Sequence, residues 1–517
     1  MSDRASERGS LIARAVPGAS VPVARILPSD RLTPVLLFQR LRAPGTESFL
    51  LESVEGGENV ARYTFLGTRP SARLTVRDGV TRLEKNGKDE PCVGETLTVL
   101  DRLVRRPRFV ADPDLPPLAA GAVGYLGYDA VRLFEAIPDR HAAASASASA
   151  TRMPEALFLL FDAVIAFDHP RQRLLLLTTL DAPAEDEPGS VETAADEAIA
   201  RLDRLEELVA ERAEASSKVE PRLPSVGAAL AAARFEPLMP RAEFLSAVDA
   251  LKEAIAAGDV YQAVVSQRWT GRLDLDPFDV YRALRALNPS PYLFFLETRE
   301  ATILGSSPEM LVRCRGREVE THPIAGTVPR GRNAEQDAAL ARSLREDPKE
   351  RAEHVMLVDL ARNDLGRVSA VGSVRVARYA EVERFSHVQH LVSEVRGTLA
   401  EGRGAADAVA ACFPAGTLTG APKIRAMELI DSLEAARRGV YGGAVGYFDA
   451  AGNCDLAIAI RTAVVEDGIC RVQAGAGIVA DSDPAAEDQE CRNKAMAVLK
   501  AVAVAGTMRS AVGEGAR

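Results

Sequence analysis

Residues 241–304 read RAEFLSAVDALKEAIAAGDVYQAVVSQRWTGRLDLDPFDVYRALRALNPSPYLFFLETREATIL. Apolar residues of 241–257 recur at helical spacing and stop at Ala257-Gly258-Asp259, which predicts an amphipathic helix. Residues 260–269 predict a strand, 277–287 a second helix, and 293–296 with 301–304 a hairpin. Helix and strand mix without strict βαβ alternation or an internal repeat. The expected class is therefore α+β, a mixed α/β sandwich, rather than a doubly wound sheet.

Toward the N-terminus, residues 20–180 read as strands and turns, with strands at 48–51, 61–66, 72–77 and 156–167. The stretch HAAASASASA at 141–150 is of low complexity and is expected to be a mobile surface loop. Residues 181–240 change composition again. DAPAEDEPGS gives way to a helical pattern over 191–213 and then to a Pro- and Ala-rich segment. They read as a helix and linker between the N-terminal region and a denser region, 241–505. Further strands are predicted at 445–448, 456–465 and 470–474.

At 517 residues, two domains are expected. Hydrophobic residues make up 47% and charged residues 26%, as in a globular chain with a sizeable core. The formal net charge of −10 argues against nucleic acid or an anionic membrane as the main partner. It leaves a small anionic substrate open, because a few local cations can dominate a pocket. No stretch approaches the roughly 18–20 apolar residues that span a bilayer, and the opening MSDRASERGSLIARAV lacks a signal-peptide core. The six cysteines are scattered without a CxxC pair, so neither a zinc knot nor a disulfide framework is expected. A cytoplasmic enzyme is the expectation.

Glutamates carry the sharpest chemical signal. Glu350 and Glu353 stand three apart at the start of a helical run, and Glu487 and Glu490 repeat the spacing, so each pair shares a helix face. If the two faces meet, four carboxylates converge, an all-oxygen set suited to Mg²⁺ rather than zinc. Spacing alone also fits, and by itself favours, two solvated helix faces. Glu309, in Ser306-Ser307-Pro308-Glu309, could act as a general acid if burial raised its pKa, or be an exposed turn residue. His390 could serve as a base or be a satisfied structural histidine; neither it nor His387 belongs to a ligand-type cluster. Small-residue turns at 326–327, 414–423 and 475–477 could bring bare amides to a carboxylate, though each could be only a turn. GTLTGAPKI is not a phosphate loop, since Lys423 lacks the preceding glycine and is followed by Ile424. There is no GxSxG, no HExxH and no cysteine elbow, so no glutaminase nucleophile is recognisable.

In order along the chain come GDVYQAVVSQR (258–268), NPSPYLFFL (288–296), GSSPEMLV (305–312) and HPIAGTVPRGR (322–332). EHVMLVDLARNDLGRV (353–368), FSHVQHLVSEVRGTL (385–399) and FPAGTLTGAPK (413–423) follow. GGAVGYF (442–448), AIRTAVV (459–465), QAGAGIVADSDP (473–484) and Glu490 with Asn493-Lys494-Ala495 complete the series. This ordered set resembles the chorismate-utilising enzymes. LLESVEGGENVARYTFLG (50–67) is similar to the anthranilate synthase component I branch, extending the resemblance over nearly the whole chain.

The resemblance implies two antiparallel-rich sheets packed together, helices outside and the active site in a cleft. It implies Glu353 and Glu490 as direct Mg²⁺ ligands, with Glu350 and Glu487 acting through water or from behind. Gly326, Thr327, Tyr441, Arg461, Gly475, Ala476, Gly477 and Lys494 match substrate-contacting positions, with Thr417 lining the site. The implied reaction joins chorismate and ammonia to give anthranilate and pyruvate, Glu309 serving as acid and His390 as base. A separate glutamine amidotransferase subunit would supply the ammonia, and tryptophan would inhibit through a pocket at Ser53, Pro291, Tyr292 and Leu293, part of it carried by residues 20–180. Ala325 stands where aminodeoxychorismate synthases carry a nucleophilic lysine, and Gln262 where isochorismate and salicylate synthases carry a water-activating one. The alternatives are aminodeoxychorismate synthase component I, disfavoured by Ala325, and a catalytically silent tryptophan-binding subunit.

Overall fold

The structure, a computed structural model, describes residues 2–43, 45–53, 62–142, 153–184, 189–213, 235–385 and 388–513. Most of the low-complexity loop, the Pro- and Ala-rich part of the linker and His387 lie outside the described residues.

Two sheets of twelve strands each form the centre. The first runs Ser20–Pro28, Arg173–Asp181, Ala163–Asp168, Tyr63–Thr68, Ser48–Glu52, Tyr292–Glu297, Thr302–Ser307, Thr462–Glu466, Ile469–Ile478, Gln262–Arg272 and Glu236–Pro237. Gly420–Ala421 also pairs with Gln262–Arg272. The second runs Ile324–Pro329, Val388–Thr398, Glu318–Thr321, Met310–Arg315, Cys454–Ile458, Ala444–Asp449, Gly121–Leu126, Ala156–Phe161, Ala72–Arg77, Val80–Lys85 and Lys88–Pro91. Arg375–Arg384 pairs with Val388–Thr398.

Adjacent side chains on a strand enter different apolar layers, as the period of two requires. Phe294 packs between the sheets with Phe49, Tyr125, Leu157 and Val445. Its neighbour Phe295 packs outward with Phe38, Phe244, Phe278 and Tyr281 under the helices. On the far side Leu100, Phe158, Leu365 and Phe413 fill the layer beneath the other helices. The order is helix, sheet, sheet, helix, as expected for the class. Strands such as Arg173–Asp181 are buried on both faces, which is why RLLLLTTLD is a continuous apolar run.

The chain does not divide into independent sheets at 181–240. Leu50 pairs with Phe295, and Gly124 with Gly446, so each sheet interleaves strands from both regions. Two strands expected to be single also break. Residues 156–167 form Ala156–Phe161 in the second sheet and Ala163–Asp168 in the first, and 456–465 split likewise into Cys454–Ile458 and Thr462–Glu466. An apolar run reads alike whether it stays in one buried sheet or crosses to the next. Within 20–180, Pro34–Leu41 and Thr96–Val104 are helices rather than strands or turns.

One crossing forms the site. Thr302–Ser307 and Thr462–Glu466 pair in the first sheet, and Met310–Arg315 and Cys454–Ile458 pair in the second. The two segments therefore pass between sheets together, at Pro308-Glu309 and at residues 459–461. Backbone bonds stitch them across the gap: Ser306 N–H donates to Arg461 O at 3.2 Å, and Ile458 N–H to Glu309 O at 3.0 Å. Arg461 adopts φ +51, a left-handed conformation seldom taken by a bulky residue and concentrated at functional sites.

Candidate active site

A cavity of about 520 Å³ opens where the sheets part. Its walls include Gln262, Glu309, Ala325, Gly326, Thr327, His390, Thr417, Tyr441, Arg461, Gly475, Gly477 and Lys494, with Glu350, Glu353, Glu487 and Glu490 along one side. The expected residues thus converge from positions up to 232 apart on Gln262 and Lys494.

Glu309 is buried at the crossing, not exposed in a turn. Burial pushes its carboxyl up to about 8, against the opposing pull of the Thr417 hydroxyl, Lys494 and Arg461. Thr417 Oγ1 donates to Glu309 Oε1 at 3.0 Å, which fixes the carboxyl on the cavity wall. At neutral pH the group therefore retains its proton.

His390 pairs with Thr327 across the strands Val388–Thr398 and Ile324–Pro329. The register slips between Ala325 and Thr327, and the bulge pushes Gly326 out. His390 Nδ1 lies 2.8 Å from Gly326 O and 3.0 Å from Thr327 Oγ1. A carbonyl only accepts, so Nδ1 carries the proton and Nε2 keeps its lone pair. Burial lowers the His390 pKa, and Arg461 opposes its charging. Gly326 has φ +64, and a Cβ there would come within 2.8 Å of Glu350 Oε2. Only glycine lets the bulge sit against that carboxylate.

The glutamates occupy the opening turns of two helices. Glu350 and Glu353 lie on Pro348–Gly366, whose N-cap Asp347 accepts from Lys349 N–H and Glu350 N–H at 2.9 and 3.0 Å. Glu487 and Glu490 lie on Pro484–Gly513. Both helix N-termini favour negative charge, which offsets part of the crowding. Burial and neighbouring carboxylates raise the pKa of Glu350, Glu353 and Glu487, with Glu490 contributing to each. Lys494 bridges the wall, its Nζ 2.6 Å from Glu490 Oε1 and donating to Gly475 O at 3.0 Å. These are hard oxygen donors of the kind a divalent cation such as Mg²⁺ takes, but no three of the four bring ligating atoms within 4.8 Å of one another, so the set lines the recess without closing on a point.

A family model described as chorismate binding enzyme matches residues 46–500. The chain belongs to the chorismate-binding enzymes. It is 45% identical to anthranilate synthase component 1 of Mycobacterium tuberculosis over 94% of each chain. It is 46% identical to anthranilate synthase component 1 of Streptomyces coelicolor, covering 93% of this chain and 89% of that one. The solved structure of anthranilate synthase component I from Streptococcus pneumoniae superposes with a TM-score of 0.72 at 35% identity, over 92% of this chain and 99% of that one. These relatives set this chorismate-binding enzyme among the component 1 proteins.

Ala476 alone of the expected contact residues is not among the cavity walls. Ala476 lies between Gly475 and Gly477 on Ile469–Ile478, so its methyl points to the opposite face, into the helix-side core. Any contact it makes with substrate is through backbone alone.

A second cavity, about 840 Å³, touches Ser53, Pro291, Tyr292 and Leu293 together. Tyr292 hydroxyl donates to Asp455 Oδ1 at 3.1 Å and accepts from Arg313 at 3.0 Å. Arg313, Asp455 and Tyr447 line it as well; the sequence reading did not name them, although GGAVGYF is among its motifs. Leu293 borders the cavity while its side chain packs in the helix-side core, so Phe294 and Phe65 supply apolar wall beside it. Among the described residues, Glu320, His322 and Glu394 are the one group of three with ligating atoms within 4.8 Å of one another. Arg313 and Arg396 bind Glu320 at 3.1 and 3.3 Å, and Arg378 binds Glu394 at 2.9 Å. With those carboxylates neutralised, the trio is an ion-pair node rather than a metal centre.

Proposed function

We propose that the protein is the large subunit of anthranilate synthase, combining chorismate with ammonia to form anthranilate and pyruvate in tryptophan biosynthesis. The observation that carries this reading is one cavity walled both by buried Glu309, fixed by the Thr417 hydroxyl, and by His390, whose Nδ1 is committed to Gly326 O. Glu353 and Glu490 would hold magnesium directly, with Glu350 and Glu487 acting through water, and the ion would supply Lewis-acid binding of the ring carboxylate. Arg461 offers a bidentate contact to a second carboxylate, and Tyr441 with the Gly475 and Gly477 backbone closes the ring pocket. Ammonia forms its bond at ring C2 while the C4 hydroxyl departs, taking the Glu309 proton and leaving as water. The new ammonium sheds one proton. His390 Nε2 then removes the C2 proton, the enolpyruvyl C–O bond breaks, and the released enol becomes pyruvate. Ala325 has no nucleophilic atom, which favours direct attack by ammonia over a lysine-bound intermediate.

A separate glutamine amidotransferase subunit delivers the ammonia, consistent with the component 1 names of the relatives and with the missing glutaminase motif. Tryptophan binds the larger cavity and lowers activity. Six free cysteines suit a reducing cytoplasm. No helix among the described residues is long and apolar enough to cross a membrane. The test is anthranilate fluorescence from purified chain, chorismate, Mg²⁺ and ammonium at alkaline pH, with and without tryptophan. Absence of anthranilate with folded protein and all components present defeats the reading.

A further inference from the structure

Beside Glu309 lies another, smaller cavity of about 40 Å³, lined by the helix Pro348–Gly366, the small-residue loop at 412–417 and the start of Met310–Arg315. Glu309 and Thr417 are walls of both this cavity and the catalytic one. The rear cavity's remaining polar groups include Asp364 and Thr321; Thr321 Oγ1 is committed to Leu311 O at 2.9 Å. Asp364 is buried and accepts from Lys423 Nζ at 2.8 Å, and the same ammonium donates to Cys412 O at 3.3 Å. Beyond it stands the exposed Arg367, at the end of the helix. The volume exceeds the roughly 10–15 Å³ that one ordered water requires, and Glu309, Thr417 and Asp364 supply the two to four polar partners such a water needs.

We infer that Glu309 regains its proton through this rear cavity, by way of water held between its carboxyl and Asp364, with Lys423 as the positioning cation. The inference rests on the reading of Glu309 as general acid. In each turnover Glu309 gives a proton to the departing hydroxyl, whose C–O bond breaks to form water. Glu309 is left as a carboxylate facing a mouth that substrate or product fills. Asp364 takes up a proton from solvent past Arg367 and passes it to the rear water as that water gives one of its own to Glu309, which returns Asp364 to the carboxylate paired with Lys423. No redox partner is required. Burial raises the Asp364 pKa against the pull of Lys423 and Arg367, which favours a group that takes up a proton transiently. The motifs RND and GAPK, far apart in sequence, thereby acquire a joint role: Asp364 and Lys423 meet behind the acid.

The experiment compares Asp364→Asn, Ala361→Val and Glu309→Gln in the full chain, with Mg²⁺ and ammonium, by kcat, KM for chorismate and solvent deuterium isotope effect across pH. Ala361 lines the rear cavity, and valine there fills the space while leaving the ion pair intact. Groups facing Glu309 are Lys494, Arg461 and Thr417, and those facing Asp364 are Lys423, Arg367 and Cys412; all are unchanged by these variants. For Asp364→Asn and Ala361→Val, kcat is expected to fall about tenfold at about pH 9 and under about twofold at about pH 6. KM should hold and the isotope effect should grow, because proton resupply becomes limiting when hydronium is scarce. In the Glu309→Gln background, Asp364→Asn should add no further loss. A pH-independent loss, an unchanged isotope effect, or full activity in Ala361→Val with Glu309→Gln crippled overturns the relay and leaves the acid standing. Near-normal activity in Glu309→Gln removes the acid itself. If Asp364→Asn fails to fold, Ala361→Val decides alone.

Discussion

In the larger cavity Arg313 is held by Asp455 at 2.8 Å and Glu320 at 3.1 Å, while Arg378 holds Glu394 at 2.9 Å. In the smaller cavity Glu309 is buried with a hydroxyl as its hydrogen-bond partner, and Glu350, Glu353 and Glu487 are each driven up by burial and by neighbouring carboxylates. Both cavities are lined from both sheets, yet one closes its charges into pairs and the other leaves acids in excess. A closed network makes a preformed polar shelf suited to a zwitterion, with no change of protonation needed. Crowded acids are poised to take up a cation or part with a proton, which is where chemistry is to be expected.

Removing the divalent ion tests the imbalance hardest. Excess chelator is expected to cut turnover about 10³-fold or more, since the metal would contribute several kcal/mol to binding and charge stabilisation. Glu353→Gln should mimic this, with activity partly restored at high Mg²⁺; unchanged rates in chelator would erase the difference between the cavities. Next comes Glu309→Gln, expected to lower kcat on the order of 10²-fold or more. The same variant should be more stable than the parent. Glu309 has its folded pKa raised to about 8, above the unfolded value, so the native state holds the proton more tightly. Its contribution is complete at acid pH and is lost as pH rises through about 8. The gain in unfolding free energy of Glu309→Gln should therefore be near zero in acid and largest above that pH, on the order of a few kcal/mol, read by denaturant titration across pH. A gain independent of pH would contradict the buried protonated acid.

The pH profile of kcat follows from the same pair. Activity should fall on the alkaline side near pH 8 as Glu309 loses its proton, and on the acid side below the ordinary histidine value as His390 gains one. The facing charges, Lys494 and Arg461 for Glu309 and Arg461 and Glu383 for His390, set these limbs. A profile flat from acid to alkaline would remove both roles.

The sandwich class and the more strongly periodic helices were legible because their periodicities are local, whereas Ser2–Arg14, Pro34–Leu41, Thr96–Val104, Ala334–Glu346, Ala405–Cys412 and Lys423–Leu433 went unread. Residues 191–213 and 277–287 match the helices Val191–Ala213 and Pro277–Leu287. The glutamate pairs were legible only as pairs, since nothing in their spacing says that two helices 137 residues apart, from Glu350 to Glu487, begin beside one cavity. Ordered motifs supplied that convergence. The sheet crossings at Asp162, Glu309 and Arg461 were not legible, because buried strands are apolar on both faces and lose the alternation that would mark a change of sheet. Asp455 and Arg313 were missed for a related reason: each sits in an ordinary strand and gains meaning only from its cross-strand partner.

Smaller effects belong to the balanced cavity. Ser53→Phe should raise the tryptophan concentration for half-inhibition about tenfold or more while uninhibited activity stays within about twofold, and intact inhibition would move the ligand elsewhere. Least is expected of Leu293→Met. Leu293 pairs with Glu52 across the strands, and its side chain is buried in the layer containing Phe295 and Tyr281. Methionine has nearly the same volume and more freedom, so the swap should cost under about 1.5 kcal/mol in stability. Tryptophan inhibition should shift by less than about tenfold, the equivalent of that energy. The apolar wall beside it is shared with Phe294 and Phe65, whose rings the substitution leaves in place. A larger shift would mean that ligand binding reaches through the sheet into the helix-side core, so that the two layers respond together and the balanced cavity is not a rigid shelf.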